Sequence, residues 1–311
     1  MKDHVNKIKK TVIIIDYRCN NRCRFCIDED KRHLPARTTQ QIFSEMADAR
    51  ARGRTYLELI GGELTIRPDI FYLIKSAKDL GFRTVAMATN GRMFSYEDFA
   101  EKIIRSGLDH VIFSIHGHNG RLHDSLTQSE NSFRELMKGL KNLRKIGFDN
   151  IGSNTTIVKQ NYKSLFSIGK FIYGLGIRNA EFIFVDPTYG GAHKHFKEMV
   201  PRISEASPYI RKCLKIGKDK AAKHWVARYV PLCYFTDYLN QISELSEVRN
   251  FESEHLAPDF KNYNVEVSRI QIGRQKTARC SGCRYYAKCE GIWREYIRQY
   301  GDKELNPVLR G

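Results

Sequence analysis

Six times along its first two-thirds, this chain sets an apolar, β-branched run at the head of a strand–helix unit. TVIIID (Thr11–Asp16) reads as a buried strand. In Arg37–Gly53, Thr38 with Gln41 forms a capping-box start and Gly53 a stop. Strands then read over 55–63, 82–91, 109–117, 150–159 and 179–187, with helices over 68–81, 96–107, 132–147 and 161–176. Strands alternating with helices of about ten to fifteen residues demand parallel pairing, because each crossover returns the chain to the same end of the sheet. The fold class is α/β, either an open doubly wound sheet or an incomplete barrel. No GxGxxG follows the first strand, so the dinucleotide fingerprint is missing. In both architectures the active site lies at the C-terminal ends of the strands.

The chemically unusual residues fall at those ends. Cys19 follows the first strand, and Gly61, Gly62 and Glu63 follow the second. Asn90 and Gly91 follow the third, Ser114 and His116 end the fourth, Ser153 and Asn154 lie in the fifth, and Asp186 ends the sixth. The glycines let backbone approach a ligand closely. Glu63 can accept a hydrogen bond from an ammonium group. Ser114, Ser153 and Asn154 suit carboxylate or ribose hydroxyls, whereas His116, His118 and His123 read as loop residues rather than ligands. From about Ala192 the pattern changes to a basic helical stretch ending at Arg228, then a polar irregular region and a cysteine-rich end. A boundary at 188–193 separates a core over 1–190 from a second domain over 191–311.

The chain carries 8 cysteines, and they are clustered. Its N-terminus has no signal-peptide core and no run is long enough to span a bilayer, which points to a cytoplasmic protein. In a reducing compartment, thiols at short spacings read as metal ligands rather than disulfides. Cys19, Cys23 and Cys26 form CxxxCxxC, one thiolate short of a closed zinc site. Zinc with His33 completes four ligands. A 4Fe–4S cluster on three thiolates leaves one iron open for something else. Arg18, Arg22 and Arg24 stand among these thiols; surface placement is the simpler account of them, and offsetting a cluster's negative charge is the other. The net charge of +17 speaks to partners and not to fold: nucleic acid, an anionic small molecule or an acidic peptide.

Together, CNNRCRFC, GGE after the second strand, TNG after the third, SIHG after the fourth and SNTTIV in the fifth resemble the radical S-adenosylmethionine superfamily over the first two-thirds of the chain. The resemblance implies a (βα)6 partial barrel. It also implies a 4Fe–4S cluster on Cys19, Cys23 and Cys26 whose open iron holds S-adenosylmethionine, with Gly61, Gly62, Glu63, Asn90, Ser114, Ser153 and Asn154 around the cofactor. Reduction by a partner such as flavodoxin or ferredoxin would yield a 5′-deoxyadenosyl radical that abstracts a substrate hydrogen. CSGCRYYAKC (Cys280, Cys283, Cys289) is similar to the core of the SPASM and Twitch extensions, which hold auxiliary 4Fe–4S clusters. The SPASM pattern continues with a cysteine where this chain has Trp293, which implies one auxiliary cluster, with Cys233 as fourth ligand. A four-cysteine zinc knuckle is the alternative. Cys213 is then the odd thiol: a hydrogen-atom donor, a substitute for Cys233, or a small buried hydrophobe.

The resemblance does not name a substrate. Maturation of a ribosomally made peptide is the first expectation. The chain begins almost at its first strand, so a separate leader-peptide-binding protein or the basic C-terminal region would do the recognising. A small-molecule dehydrogenase or epimerase, for example on a sugar or alcohol, is the second. RNA modification is the third, resting on charge and on Tyr285, Tyr286 and Trp293. A non-catalytic iron–sulfur electron carrier is the last.

Overall fold

The computed structural model describes residues 7–222 and 224–309. The outer ends of the two expected domains, and Lys223 in the basic stretch, lie outside them. The six expected strands are β1 (Ile8–Ile14), β2 (Tyr56–Ile60), β3 (Thr84–Thr89), β4 (His110–Ser114), β5 (Ile151–Ile157) and β6 (Asn179–Phe184). They pair in parallel and in sequence order. The intervening helices are α1 (Thr39–Ala51), α2 (Ile70–Asp79), α3 (Glu97–Arg105), α4 (Gly120–Thr127), α5 (Ser132–Lys145) and α6 (Leu165–Gly174). The capping box of α1 is formed: Gln41 N–H donates to the Thr38 hydroxyl at 3.2 Å and Thr38 N–H to the Gln41 side chain at 2.8 Å. The short α4 was not legible in the sequence. It has few apolar positions and starts on the Asn119 side chain, which accepts from Leu122 N–H at 2.9 Å.

Strand side chains alternate between two environments. Val111 and Phe113 of β4 are fully buried against the helices, while His110 and Ile112 line an interior cavity. That cavity takes residues from β1, β2, β4, β5 and β6. The sheet is therefore curved into an open barrel with a lumen.

Two expectations about the C-terminal third are corrected. The helical stretch ends early: α7 (Gly190–Lys194), α8 (Phe196–Met199) and α9 (Ile203–Asp219) precede a strand, β7 (His224–Arg228), parallel to β6. The polar region then yields α10 (Ser243–Asn250), β8 (Phe251–Leu256) parallel to β1, and a short return strand, β9 (Lys261–Asn262). The barrel sheet thus runs through the expected boundary at 188–193 and has the order β7-β6-β5-β4-β3-β2-β1-β8-β9 among the described residues. FESEHL hides a strand because its buried acid is paired: Glu254, fully buried, accepts from the Thr11 hydroxyl at 2.8 Å and from Arg52 at 2.7 Å. Beyond it come α11 (Val265–Ser268), β10 (Arg274–Gln275), β11 (Ile292–Trp293) and α12 (Arg294–Tyr300). The antiparallel β10–β11 pair brackets Cys280, Cys283 and Cys289.

A chain of charges ties this last region to the barrel. Arg228 of β7 pairs with Glu181 of β6 at 2.8 Å and with Glu247 of α10 at 3.2 Å. Glu247 also meets Arg269 at 3.1 Å, and Arg269 meets Glu290 at 2.6 Å. Burial alone would raise the Glu247 carboxyl, but Arg228 and Arg269 overturn that and hold it down at about 2. A folded-state value below the ordinary 4.5 contributes stability that is complete above about pH 4.5 and is lost as pH falls toward 2. Glu247→Gln is accordingly expected to lose on the order of 3 kcal/mol at pH 7 and to converge on the wild type near pH 2. Denaturant melts across that range measure it.

Candidate active site

The three thiols of Cys19, Cys23 and Cys26 lie in the loop after β1. Backbone from two other strand ends holds this loop. Gly62 N–H donates to Asp16 O at 2.7 Å and Glu63 N–H to Arg18 O at 2.8 Å. A Cβ on Gly62 would overlap the Arg18 carbonyl, so only glycine fits. On the other side, Gly191 N–H donates to Cys26 O at 2.8 Å, and a Cβ on Gly191 would overlap Arg24 O. Gly190 has φ +64 and packs on Cys26 and Ile27 backbone. This second clamp, YGGAH after β6, was missed in the sequence, although a Gly-Gly pair beyond a strand end was the available signal.

Glu63 is 1 % exposed. Its Oε1 accepts from the Thr89 hydroxyl at 2.7 Å and from both the N–H and the hydroxyl of Thr65, and its Oε2 accepts from Asn90 N–H at 2.7 Å. Burial pushes the carboxyl up, and these donors oppose it. Glu63 thus spends its oxygens joining the loops after β2 and β3. Asn90 reaches the thiol loop: its Nδ2 donates to the Asn20 side chain at 2.6 Å and lies 3.9 Å from Cys19 Sγ. Ser114 pairs in register with Asn154, which lines the lumen. Ser153 is corrected. It is the register partner of Phe113, on the face packed against the helices, so it does not face the lumen.

The thiols share one neighbourhood. Cys26 acts on Cys19, and both act on Cys23. Burial pushes Cys19 up to about 11 and raises Cys23 and Cys26 as well. Ligation requires thiolates, so loading such a site releases protons and is favoured by neighbouring positive charge. The cation that faces these thiols is Arg32, which lowers all three and donates through Nη1 to Asn21 O at 2.9 Å. Its Nε is buried without a hydrogen-bond partner among the described residues. The three arginines beside the thiols lie outward: Arg18 is exposed and pairs with Asp16, Arg24 pairs with Glu198 at 2.6 Å, and Arg22 is exposed.

His116 packs edge-on against Phe25 at 4.9 Å between ring centres. Burial depresses it to about 3, and its Nδ1 accepts Thr156 N–H at 3.2 Å, which leaves a neutral ring. His123 is fully buried, and its Nδ1 accepts His116 N–H at 3.3 Å. His33 is exposed. Among the described residues no three His, Cys, Asp or Glu converge tightly enough for a single metal ion.

Cys233, Cys280, Cys283 and Cys289 line one common cavity, and the last three all act on Cys233. Cys289 Sγ accepts N–H bonds from Leu232 at 3.5 Å and Gly291 at 3.3 Å. Burial pushes Cys233 up to about 11. Cys213 falls where its reading as a small buried hydrophobe puts it, and its readings as a hydrogen-atom donor and as a substitute for Cys233 are corrected. It is fully buried in α9 against Gly169 of α6, with its carbonyl accepting from Trp225 Nε1 at 3.1 Å. In that helix–helix seam it neither faces the lumen nor joins the other thiols.

A parallel open barrel with three thiols in one loop at its C-terminal mouth defines a class of enzyme that carries its reactive group there, on the strand ends. The chain belongs to the Radical SAM superfamily, whose family model matches residues 13–172. Membership implies a 4Fe–4S cluster and S-adenosylmethionine, and it makes the chain an enzyme rather than a bare electron carrier. It is 28 % identical over 219 residues to a "Probable GTP 3',8-cyclase" of Saccharolobus islandicus, covering 70 % of this chain and 69 % of that one. In fold it resembles Streptococcus suis SuiB bound to the precursor peptide SuiA, with TM-score 0.68 and 15 % identity over 97 % of this chain and 74 % of that chain. It also resembles anSMEcpe with bound AdoMet and Cp18Cys peptide, with TM-score 0.62 and 13 % identity over 97 % of this chain and 92 % of that chain. Among the described residues no helix is long and apolar enough to cross a membrane.

Proposed function

We propose that this chain abstracts a hydrogen atom from a peptide substrate held in the barrel lumen, and that Cys233, Cys280, Cys283 and Cys289 hold an auxiliary 4Fe–4S cluster. The observation that carries the substrate class is the charge balance of the lumen. Lys10 pairs with Glu58, and Arg228 sits between Glu181 and Glu247. Burial holds His110, His224 and His255 below their ordinary values, His255 at about 4. These groups thus set three carboxylates against two cations, and a polyphosphate entering the lumen would meet no surplus positive charge. Asn154, Asn179 and Asn250 line the same cavity and offer both donors and acceptors, which suits amide groups.

Bound at Cys19, Cys23 and Cys26, a 4Fe–4S cluster would leave one iron for the amino and carboxylate groups of S-adenosylmethionine and supply the electron that releases a 5′-deoxyadenosyl radical. The chain's own residues do the positioning. The Gly61–Gly62 turn and the Gly190–Gly191 clamp fix the thiol loop from opposite sides. Phe25 and the neutral His116 wall it with a ring pair that carries no charge. Arg32 provides the positive charge that favours thiolates.

The GTP 3',8-cyclase relatives support a second reading, a nucleotide substrate. Anaerobically reconstituted enzyme is expected to form no more 5′-deoxyadenosine with GTP than without substrate. It is expected to turn over with a peptide substrate found by screening a peptide library, and the peptide's mass change reads the product. GTP-dependent turnover with no response to peptide would overturn the peptide reading.

A further inference from the structure

An apolar groove lies on the outer side of the auxiliary thiols. Leu232, Leu239, Leu245, Val248, Ile270 and Tyr285 line it. Val248 is 47 % and Ile270 43 % exposed, so apolar surface is presented to solvent. Tyr285 also lines the thiol cavity, which makes one side chain the wall between groove and thiols. Leu232 of the groove donates its N–H to Cys289 Sγ at 3.5 Å. The two acids in the groove, Glu244 and Glu290, are buried, whereas its basic residues, Arg249 and Lys288, are exposed and enter no ion pair among the described residues.

We propose that this groove is the docking site of an acidic one-electron carrier protein, which exchanges an electron with an auxiliary cluster across the Tyr285 wall. The inference rests on the auxiliary-cluster reading above. An apolar centre with a rim of one charge sign fits a small, transient redox encounter, in which charge steers approach and little area is buried. The step balances simply. A reduced flavin carrier passes from hydroquinone to semiquinone, the cluster gains that electron and goes from its 2+ to its 1+ state, and no bond is made or broken.

The test uses the Cys19/Cys23/Cys26→Ala chain, whose iron belongs to the auxiliary site, with an acidic flavodoxin as the probe. Binding of oxidised flavodoxin and stopped-flow bleaching of the cluster by its hydroquinone are measured at low and high salt. The double variant Arg249→Glu/Lys288→Glu is expected to weaken binding and slow bleaching about tenfold at low salt, with the gap closing at high salt. Reduction by dithionite should be unchanged, and a double reversal on α3 (Lys102, Arg105) should do nothing. Equal binding and bleaching by the groove variant would overturn the proposal. So would self-association that occupies the groove, or competition for it by the peptide substrate. A chain that holds no iron would sink the auxiliary-cluster reading instead, and flavodoxin binding to wild type and groove variant would still decide the docking surface.

Discussion

Replacing Cys19, Cys23 and Cys26 together by alanine is expected to abolish 5′-deoxyadenosine formation and to remove about half of the bound iron, from roughly eight to roughly four per chain. Complete loss is expected because the three thiols act as one unit. Their loop has no other ligand to recruit: His33 is exposed and Cys213 is sealed in the α6–α9 seam. The retained iron is expected because Cys233 and its three partners share a separate cavity, bracketed by β10 and β11. Iron and sulfide analysis of the reconstituted proteins, with the deoxyadenosine assay, measures both. Loss of all iron would mean one site and not two. About four irons in the wild type with zinc bound as well would make the C-terminal site a zinc knuckle.

What the sequence disclosed and what it hid follow from how each signal is carried. The six βα units were readable because β1–β6 and their helices bury apolar faces at a fixed period. β7 and β8 were not, because their work is polar: Arg228 and Glu254 are satisfied by partners far away in the chain. Local pattern cannot show a pairing of Thr11 with Glu254, so the strands that flank the six-stranded core read as the end of a helical stretch and as irregular chain. The first thiol set stood out through its spacing read together with Phe25 and GGE, and Cys233 lines the same cavity as the three later thiols, where the resemblance put it. Arg18, Arg22 and Arg24 take the surface placement that was their simpler account, and the charge beside the first thiols was not legible, because only the loop's path brings Arg32 over them. Ser153 failed by one position of strand alternation. That error flips a side chain from lumen to helix layer and leaves the sequence motif intact.

Gly191→Ala is expected to cost the enzyme at least a hundredfold in S-adenosylmethionine cleavage and to lower iron at the first site, although the change adds one methyl group. The added Cβ would overlap the Arg24 carbonyl oxygen and crowd Cys26 N, both of them backbone atoms of the thiol loop. Rotating a side chain cannot relieve this, so either the loop or the start of α7 must move. Movement breaks the 2.8 Å bond from Gly191 N–H to Cys26 O and displaces a ligand residue. Misplacement of about 1 Å at a reacting centre costs roughly a hundredfold. Gly62→Ala should behave alike, since its Cβ would overlap Arg18 O on the other side of the same loop. Gly174→Ala supplies the control: it closes α6, nothing lies within 4 Å of its Cβ position, and helix propensity makes the change neutral or stabilising by up to about 1 kcal/mol. Iron content and deoxyadenosine rate across the three variants separate the clamp from general glycine effects. Wild-type values in Gly191→Ala would show that the loop is held by its β1 and β2 contacts alone.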